Sequence, residues 1–304
     1  MKLSTRKNED RKTSRRKKMI KWIVAGAAVV LIPAFCYYEN HHLVVTEYTY
    51  ASEDLPDSFQ GYRIVQISDF HNATFGKDNR KLIRAVVEEG PHMVVITGDM
   101  IDRNRTDTGL AVEFAGKLYR ELNLLDGSDE TDRVPILYVT GNHEMWLEPD
   151  EREEFLEQLE AAGVHVLRGE NYIVSRGDRE IMVTGLDDQG LGHLNLCRLM
   201  EEEEEISFHV VLAHEAQYFE DYANNSEADL IFSGHLHGGQ FRAPFDLLGD
   251  GLVAPDVGLF PKMTSGMHTQ NDTTVVISRG LGNSVIPVRL FNDPEIVTVT
   301  LEGK

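Results

Sequence analysis

The hydropathy of the chain changes character at residue 38. Met19 to Tyr38 is almost wholly apolar, with Lys21 as its one charged interruption, and a stretch of that length suits a helix that crosses a bilayer. Beyond it the apolar residues come in short runs rich in β-branched side chains: Arg63–Ile67, Met93–Ile96, Ile136–Val139, His209–Leu212 and Leu230–Phe232. Continuous runs of this length suit strands buried on both faces. Helical spacing alternates with them. Lys77–Glu89 places Leu82, Ile83, Val86 and Val87 on one side, Leu110–Leu122 does the same with Val112, Phe114, Ala115 and Leu118, and Glu151–Ala162 is closed by Gly163. The second half shifts toward strands at Asn171–Ser175, Glu180–Thr184 and Phe208–Ala213.

This order predicts an α/β fold in which two mixed sheets pack as a sandwich with helices outside. The expected divisions are a basic tail (1–18), an apolar anchor or signal-like segment (19–38), a connector (39–60) with one short strand within 43–50, and one large domain (61–304). Met93 and Phe114 are expected in its core. No internal repeat is present.

Polar residues of one chemical kind stand just after the apolar runs: Asp69 and His71, Gly98-Asp99, Gly141-Asn142-His143-Glu144, His214, and Gly234-His235-Leu236-His237. In layered sheets chemistry gathers at the carboxyl ends of strands, so groups far apart in sequence can meet there. In an extended chain the two-residue spacing of Asp69 and His71 would put both side chains on one side. Asp99, with two carboxylate oxygens, is the candidate to bridge two cations. Gly98 and Gly141 permit tight turns and close approach to an ion. Asn142 offers a neutral carbonyl oxygen. His143 beside it points elsewhere and suits acid chemistry or charge stabilisation at a substrate. His214, His235 and His237 complete a set of imidazole, carboxylate and amide donors without thiolate, which suits two divalent ions of manganese, iron or zinc.

Taken singly these signals are weak, because Asp-x-His and Gly-Asp commonly mark turns and His-x-His occurs on surfaces. Their joint order carries the argument. His41, His42, His92, His165, His193, His209 and His268 lack that strand-end context. Arg242 and Arg279 are open to either phosphate contact or a structural ion pair.

Charge changes the picture of partners. Ten of the 30 Lys/Arg but three of the 50 Asp/Glu fall within residues 1–40, so the remainder is strongly acidic within a net charge of −20. An acidic surface repels phosphate backbones, which argues against broad nucleic-acid binding while leaving room for a single phosphate at a positive centre. The run Glu201–Glu205 reads as a solvated face. Two cysteines, Cys36 and Cys197, imply no disulfide framework.

The ordered motifs resemble the calcineurin-like metallophosphoesterase superfamily over residues 62–301. Gly234–Gln240, Gly258–Lys262 and Ser278–Ser284 look like its bacterial membrane-anchored branch, which includes phosphodiesterases and proteins compared with lipid-precursor pyrophosphatases. The resemblance implies a four-layer fold and a first metal held by Asp69, His71, Asp99 and His237. It implies a second metal on Asp99, Asn142, His214 and His235, with His143 as the catalytic histidine. The activity so implied is hydrolysis of a phosphodiester or pyrophosphate, with a bridging hydroxide attacking phosphorus in line and His143 stabilising or protonating the departing oxygen. Lipid headgroups or envelope substrates fit an anchored enzyme. A phosphomonoesterase, a nuclease or a non-catalytic metal-binding scaffold are the alternatives.

Arg15, Arg16, Lys17 and Lys18 before the apolar stretch place the amino terminus in the cytoplasm by the positive-inside rule, and the catalytic domain on the other side of a cell membrane. A cleaved signal peptide, twin-arginine export at Ser14-Arg15-Arg16 and lipid modification of Cys36 are competing readings of the same segment. The long segment Gln240–His268 is expected to shape the pocket. Its Leu247, Leu248, Leu252, Val253 and Leu259 either pack in the core or meet an acyl chain.

Overall fold

The computed structural model describes residues 2–124, 133–187, 196, 199–200, 206–225, 227–244, 247 and 249–304. His193, Cys197, Glu201–Glu205 and Leu248 lie outside them.

A single helix, α1 (Lys2–His41), carries the apolar segment, and no residue of its membrane-length window is buried. It is long and apolar enough for a single-pass anchor. Only His42 and Leu43 separate it from β1 (Val44–Ser52). The residues expected as a connector thus supply an edge strand, whose register runs in parallel with β14 (Glu295–Gly303) from Val44↔Glu295 to Ser52↔Gly303.

The first sheet has the order β1-β14-β2-β3-β4-β5, with β2 (Arg63–Ile67), β3 (Met93–Thr97), β4 (Ile136–Val139) and β5 (His165–Val166) mutually parallel. The second has the order β12-β13-β9-β8-β7-β6. It comprises β6 (Glu170–Arg176), β7 (Arg179–Gly185), β8 (His209–Glu215), β9 (Leu230–Gly234), β12 (Gly266–Gln270) and β13 (Thr273–Ile277). Between β9 and β12 a two-residue pair, β10 (Val253–Ala254) and β11 (Gly258–Leu259), forms a small hairpin.

Alternate residues of each central strand face opposite layers. Ile64, Val95, Leu137 and Val139 meet Val183, Val210, Leu212, Leu230, Phe232 and Val276 between the sheets. Their neighbours Val65, Val94, Ile96 and Tyr138 face outward against α2 (Arg80–Glu88), α3 (Thr108–Asn123) and α5 (Pro149–Ala161). On the far side Val211, Ile231 and Val275 pack with Phe219, Tyr222 and Ala223 of α6 (Phe219–Asn225). Two buried faces per strand explain why the runs are continuous rather than alternating. Each fully buried Val, Ile or Phe contributes about 1.5–3 kcal/mol.

Local signals set the helix limits. Asp107 caps α3 by accepting from the Leu110 N–H at 2.9 Å. Pro149 opens α5 where no intrahelical N–H is needed, and Gly163 at φ +97° ends it. Val87, expected on the buried side of α2, is exposed, because α2 buries only Leu82, Ile83 and Val86.

Candidate dinuclear metal centre

The carboxyl ends of β2, β3 and β4 from one sheet and β8 and β9 from the other converge on one buried locality. Asp69, His71, Asp99, His143, His214, His235 and His237 are all at most 5% exposed there. Asp69 and His71 reach it by a route other than the extended one expected. Both stand in the left-handed region, at φ 50° and 47°, as do Asp99, His235 and His237. Such conformations cost on the order of 1–3 kcal/mol each at non-glycine residues and persist where the surroundings enforce them. The sharp turn after β2 is enforced by Asp69 N–H to Gly98 O (3.1 Å) and His71 N–H to Asp99 O (2.9 Å).

The glycines beside the ligands are required by space. A Cβ on Gly98 would lie 2.6 Å from His214 Nδ1, and one on Gly141 would lie 2.3 Å from Asp99 Oδ1.

Two donor groups form. Asp69, His71 and His237 lie together, with His71 Nε2 at 3.2 Å from His237 Nε2 and His237 Nε2 at 3.6 Å from Asp69 Oδ1. Asp99, His214 and His235 form the other, and Asn142 Oδ1 stands 3.2 Å from His214 Nε2 and 3.1 Å from His235 Nδ1. Asp99 joins them, since its Oδ2 is 3.5 Å from His71 Nε2 and 3.3 Å from His214 Nε2.

Proton accounting tests whether a cation fits. His71 Nδ1 faces Ile101 O at 3.1 Å, His214 Nδ1 faces Thr97 O at 2.8 Å, and His235 Nε2 faces the Asp256 carboxylate at 3.0 Å. Each of those nitrogens therefore carries the ring proton, which leaves the opposite nitrogen with a lone pair directed inward. Lone pairs crowding around carboxylate and amide oxygens are stable only around positive charge. On that count His71 in the first group and His214 and His235 in the second fit a divalent ion. Partner groups behind the imidazoles are the usual means of holding such ligands.

Ionisation agrees with that accounting. Burial pulls His71 down to about 3, and burial lowers His237 and, with His214, His235 as well. Burial by itself would raise Asp99, but His214, then His71 and His143, outweigh it and hold the carboxylate well below its usual range. Burial thus favours the neutral form of His71, His235 and His237, and the Asp99 carboxylate is ionised near pH 7.

His143 sits at the start of α4 (Asn142–Met145) with a different orientation. Its Nδ1 accepts from the Arg103 backbone N–H at 2.9 Å, so a neutral His143 carries its proton on Nε2. That nitrogen lies 3.1 Å from Ser284 Oγ and 4.0 Å from Asp99 Oδ2. Trp146 packs on its ring, and the Arg103 guanidinium covers Trp146 at 4.7 Å.

Several residues here had no assigned part in the sequence reading. Glu144 is fully buried and accepts from the N–H groups of Asp99, Gly141 and Ile101 at 2.8–3.2 Å, which ties the turn carrying Asp99 to the turn carrying Asn142. Burial, with Asp99 nearby, pushes it up to about 7. Asp102 groups with His71 and His143 and accepts from Arg105 Nη2 at 3.0 Å. A second carboxylate three residues after Asp99 was its signal. Ser284, Asp256 and Arg289 lie in loops, where no strand-end pattern points to them. Arg289 is fully buried behind His237, its Nη2 at 3.4 Å from Nδ1. Burial lowers it to about 10, which leaves it charged at pH 7.

Arg279 pairs with Glu295 at 2.9 Å, and Arg242 donates to Ser265 Oγ and Gly249 O. Both make structural bonds. Leu247 and Leu259 are 78% and 69% exposed and so do not pack in the core. A cavity of about 1080 Å³ beside β6 holds none of the donor residues. Chemistry rather than volume locates the site.

Residues 62–239 match the calcineurin-like phosphoesterase family. The chain belongs to that family. Uncharacterized metallophosphoesterase YkuE of Bacillus subtilis is 32% identical over 88% of this chain and 88% of its own length. An uncharacterized metallophosphoesterase of Aquifex aeolicus is 27% identical over 90% and 98%, and phosphodiesterase YaeI of Escherichia coli 22% identical over 81% and 84%. With two distinct donor groups on this fold, this member of the calcineurin-like family is a dinuclear metal-dependent phosphoric ester hydrolase.

Proposed function

We propose that the chain is a membrane-anchored hydrolase of phosphodiester or pyrophosphate bonds. In this reading Asp69, His71, Asp99 and His237 hold one divalent ion and Asp99, Asn142, His214 and His235 the other, with manganese, iron or zinc matching the mixed donors. When bound, two such ions polarise the phosphate and activate a water for in-line attack. The chain's own groups do the rest. Asp99 fixes the spacing of the two donor groups, and Asp69 keeps its orientation by accepting from Ser68 Oγ (2.6 Å) and the His235 N–H (3.1 Å). His143 presents its Nε2 proton to the departing oxygen, while the Arg103 N–H holds the ring in that tautomer.

The observation that carries this reading is the single carboxylate of Asp99 set between two imidazole groups. The relative bearing the phosphodiesterase name, with 22% identity, favours diesters over monoesters. The basic residues before the apolar helix support an extracytoplasmic domain, and residence at the membrane favours phosphates of lipid headgroups or envelope polymers as substrates.

The test uses the full chain in detergent, reconstituted with manganese, zinc or iron and offered a phosphomonoester, a phosphodiester, a nucleotide-linked lipid and nucleic acid. Diester or pyrophosphate cleavage abolished by Asp99→Ala is expected. A folded, metal-loaded protein that cleaves none of these would overturn the proposal, and one that cleaves only monoesters or nucleic acid would redirect it.

A further inference from the structure

Between the anchor helix and the metal centre lies one short segment, residues 283–291, that touches both. The last turn of α1 is hydrogen-bonded to it. Asn40 Oδ1 accepts from Asn283 Nδ2 at 2.6 Å and from Arg289 N at 3.3 Å, and Glu39 accepts from Phe291 N at 2.5 Å. His42 lies 3.3 Å from Asp293 just beyond. With β1 starting at Val44, the catalytic domain has no spacer with which to stand off from the membrane end of the helix.

The side chains define the depth. The Phe35 ring stands 5.4 Å from that of Phe291. Phe35 lies three residues inside the end of the apolar stretch, which at about 1.5 Å rise per residue is roughly one turn below its edge. A residue of the catalytic domain therefore sits level with the apolar part of the anchor. The same segment exposes further apolar surface: Val285 is 82% exposed, Phe291 is 45% exposed, and Pro287 is also exposed. Exposed single hydrophobics are ordinary on a surface. These differ in being tied to a helix whose membrane-length apolar window has no buried residue.

The other side of the segment belongs to the reaction centre. Ser284 Oγ meets His143 Nε2 at 3.1 Å, Arg289 backs His237, and Gln240 Nε2 donates to Asn283 Oδ1, Ile286 O and Val288 O at 2.7–3.2 Å. Gln240 thereby pins the segment to the turn that carries His235 and His237. A cavity of about 230 Å³ has walls from both sides, Asn40 and His41 of the anchor and His71, Arg105 and Asn283 of the site.

We infer that residues 285–291 are a membrane-docking rim: Val285, Pro287 and Phe291 enter the surface of the bilayer that the anchor crosses, and the metal centre opens at headgroup level. The occupant of this apolar face is the lipid surface, by continuity with the anchor. This rests on the hydrolytic reading above and deepens it, since the phosphoesters delivered to such a mouth are those of membrane-resident amphiphiles.

The experiment uses the full chain, with Cys36 and Cys197 replaced by Ser, in vesicles of phosphatidylcholine and phosphatidylglycerol. A nitroxide is placed through Val285→Cys or, as the aqueous reference, through Asp178→Cys in the exposed turn between β6 and β7. Collision with oxygen relative to a nickel chelate is expected to be several-fold higher at 285 than at 178, as an apolar anchor in the interface requires. Equal ratios would overturn the inference.

A second arm compares hydrolysis of a vesicle-resident amphiphilic phosphodiester with that of a soluble one. Val285→Asp should lower the ratio about tenfold, while Val285→Leu preserves it. An unchanged ratio in Val285→Asp also overturns the docking rim. If the label inserts and the wild-type chain hydrolyses neither substrate, the hydrolytic reading falls and the docking rim stands.

Discussion

At the scale of single residues, the site depends on which nitrogen of each imidazole carries its proton. His71 and His214 are fixed by backbone carbonyls, whereas His235 is fixed by the carboxylate of Asp256 at 3.0 Å. Asp256→Ala should therefore weaken one of two bound metals by about 10–100-fold, as loss of an outer partner commonly does, and leave the other nearly unchanged. Competition against a chelator of known affinity reads this, and equal weakening of both sites would contradict it. His143 makes the converse case. His143→Gln should lower turnover by about 10²–10⁴-fold while metal content stays at the wild-type level, because the ring's Nδ1 is held by a backbone N–H and its Nε2 faces Ser284. Loss of metal in that variant would show that His143 is a ligand instead.

The elements explain why some of this was legible in the chain and some was not. Strands buried on both faces leave long apolar runs, so β2, β3, β4, β8 and β9 stand out in the sequence. Ligands at their carboxyl ends stand out with them. The turns do not. Asp69, His71, Asp99, His235 and His237 all have positive φ, a conformation set by contacts between segments, so spacing suggested extended geometry where the backbone folds sharply. Ser284, Asp256 and Arg289 come from loops whose place depends on the whole assembly. Glu144 was visible only as part of a motif, and its work as a tie between two turns needs coordinates. Close approach gives a prediction at this scale: Gly141→Ala would set a Cβ 2.3 Å from Asp99 Oδ1 and 2.6 Å from Asp99 N. It should abolish binding of both metals while circular dichroism still shows the native sheets.

A second tie joins the two sheets away from the site, and its pH dependence can be signed. Asp229, just before β9, accepts from the His209 N–H at 2.9 Å and lies 3.4 Å from Ser52 of β1, and burial raises its carboxyl to about 6. A carboxyl raised above its unfolded value favours the fold most while protonated. That contribution is complete below about pH 4 and is lost as pH rises through 6. The stability of the wild type minus that of Asp229→Asn should fall by about 2 kcal/mol between pH 4 and pH 7, measured by denaturant unfolding of metal-free protein. A difference that stays flat or rises would show that the ionised form is the better-held one.

For the molecule as a whole, two sheets bring their strand ends together around one shared carboxylate, and the apolar amino-terminal helix continues into the domain with two intervening residues. The fold was readable because each of its layers leaves a periodic trace. The docking of that helix on the 283–291 segment left none, since Glu39 and Asn40 are separated from Phe291 and Arg289 by some 250 positions. The central claim concerns the paired ions. Anomalous diffraction from crystals of the manganese-loaded full chain should show two peaks about 3.5–4 Å apart with the Asp99 carboxylate between them, and neither peak in Asp99→Ala. A single peak, or two peaks that survive that substitution, would contradict the shared-carboxylate centre.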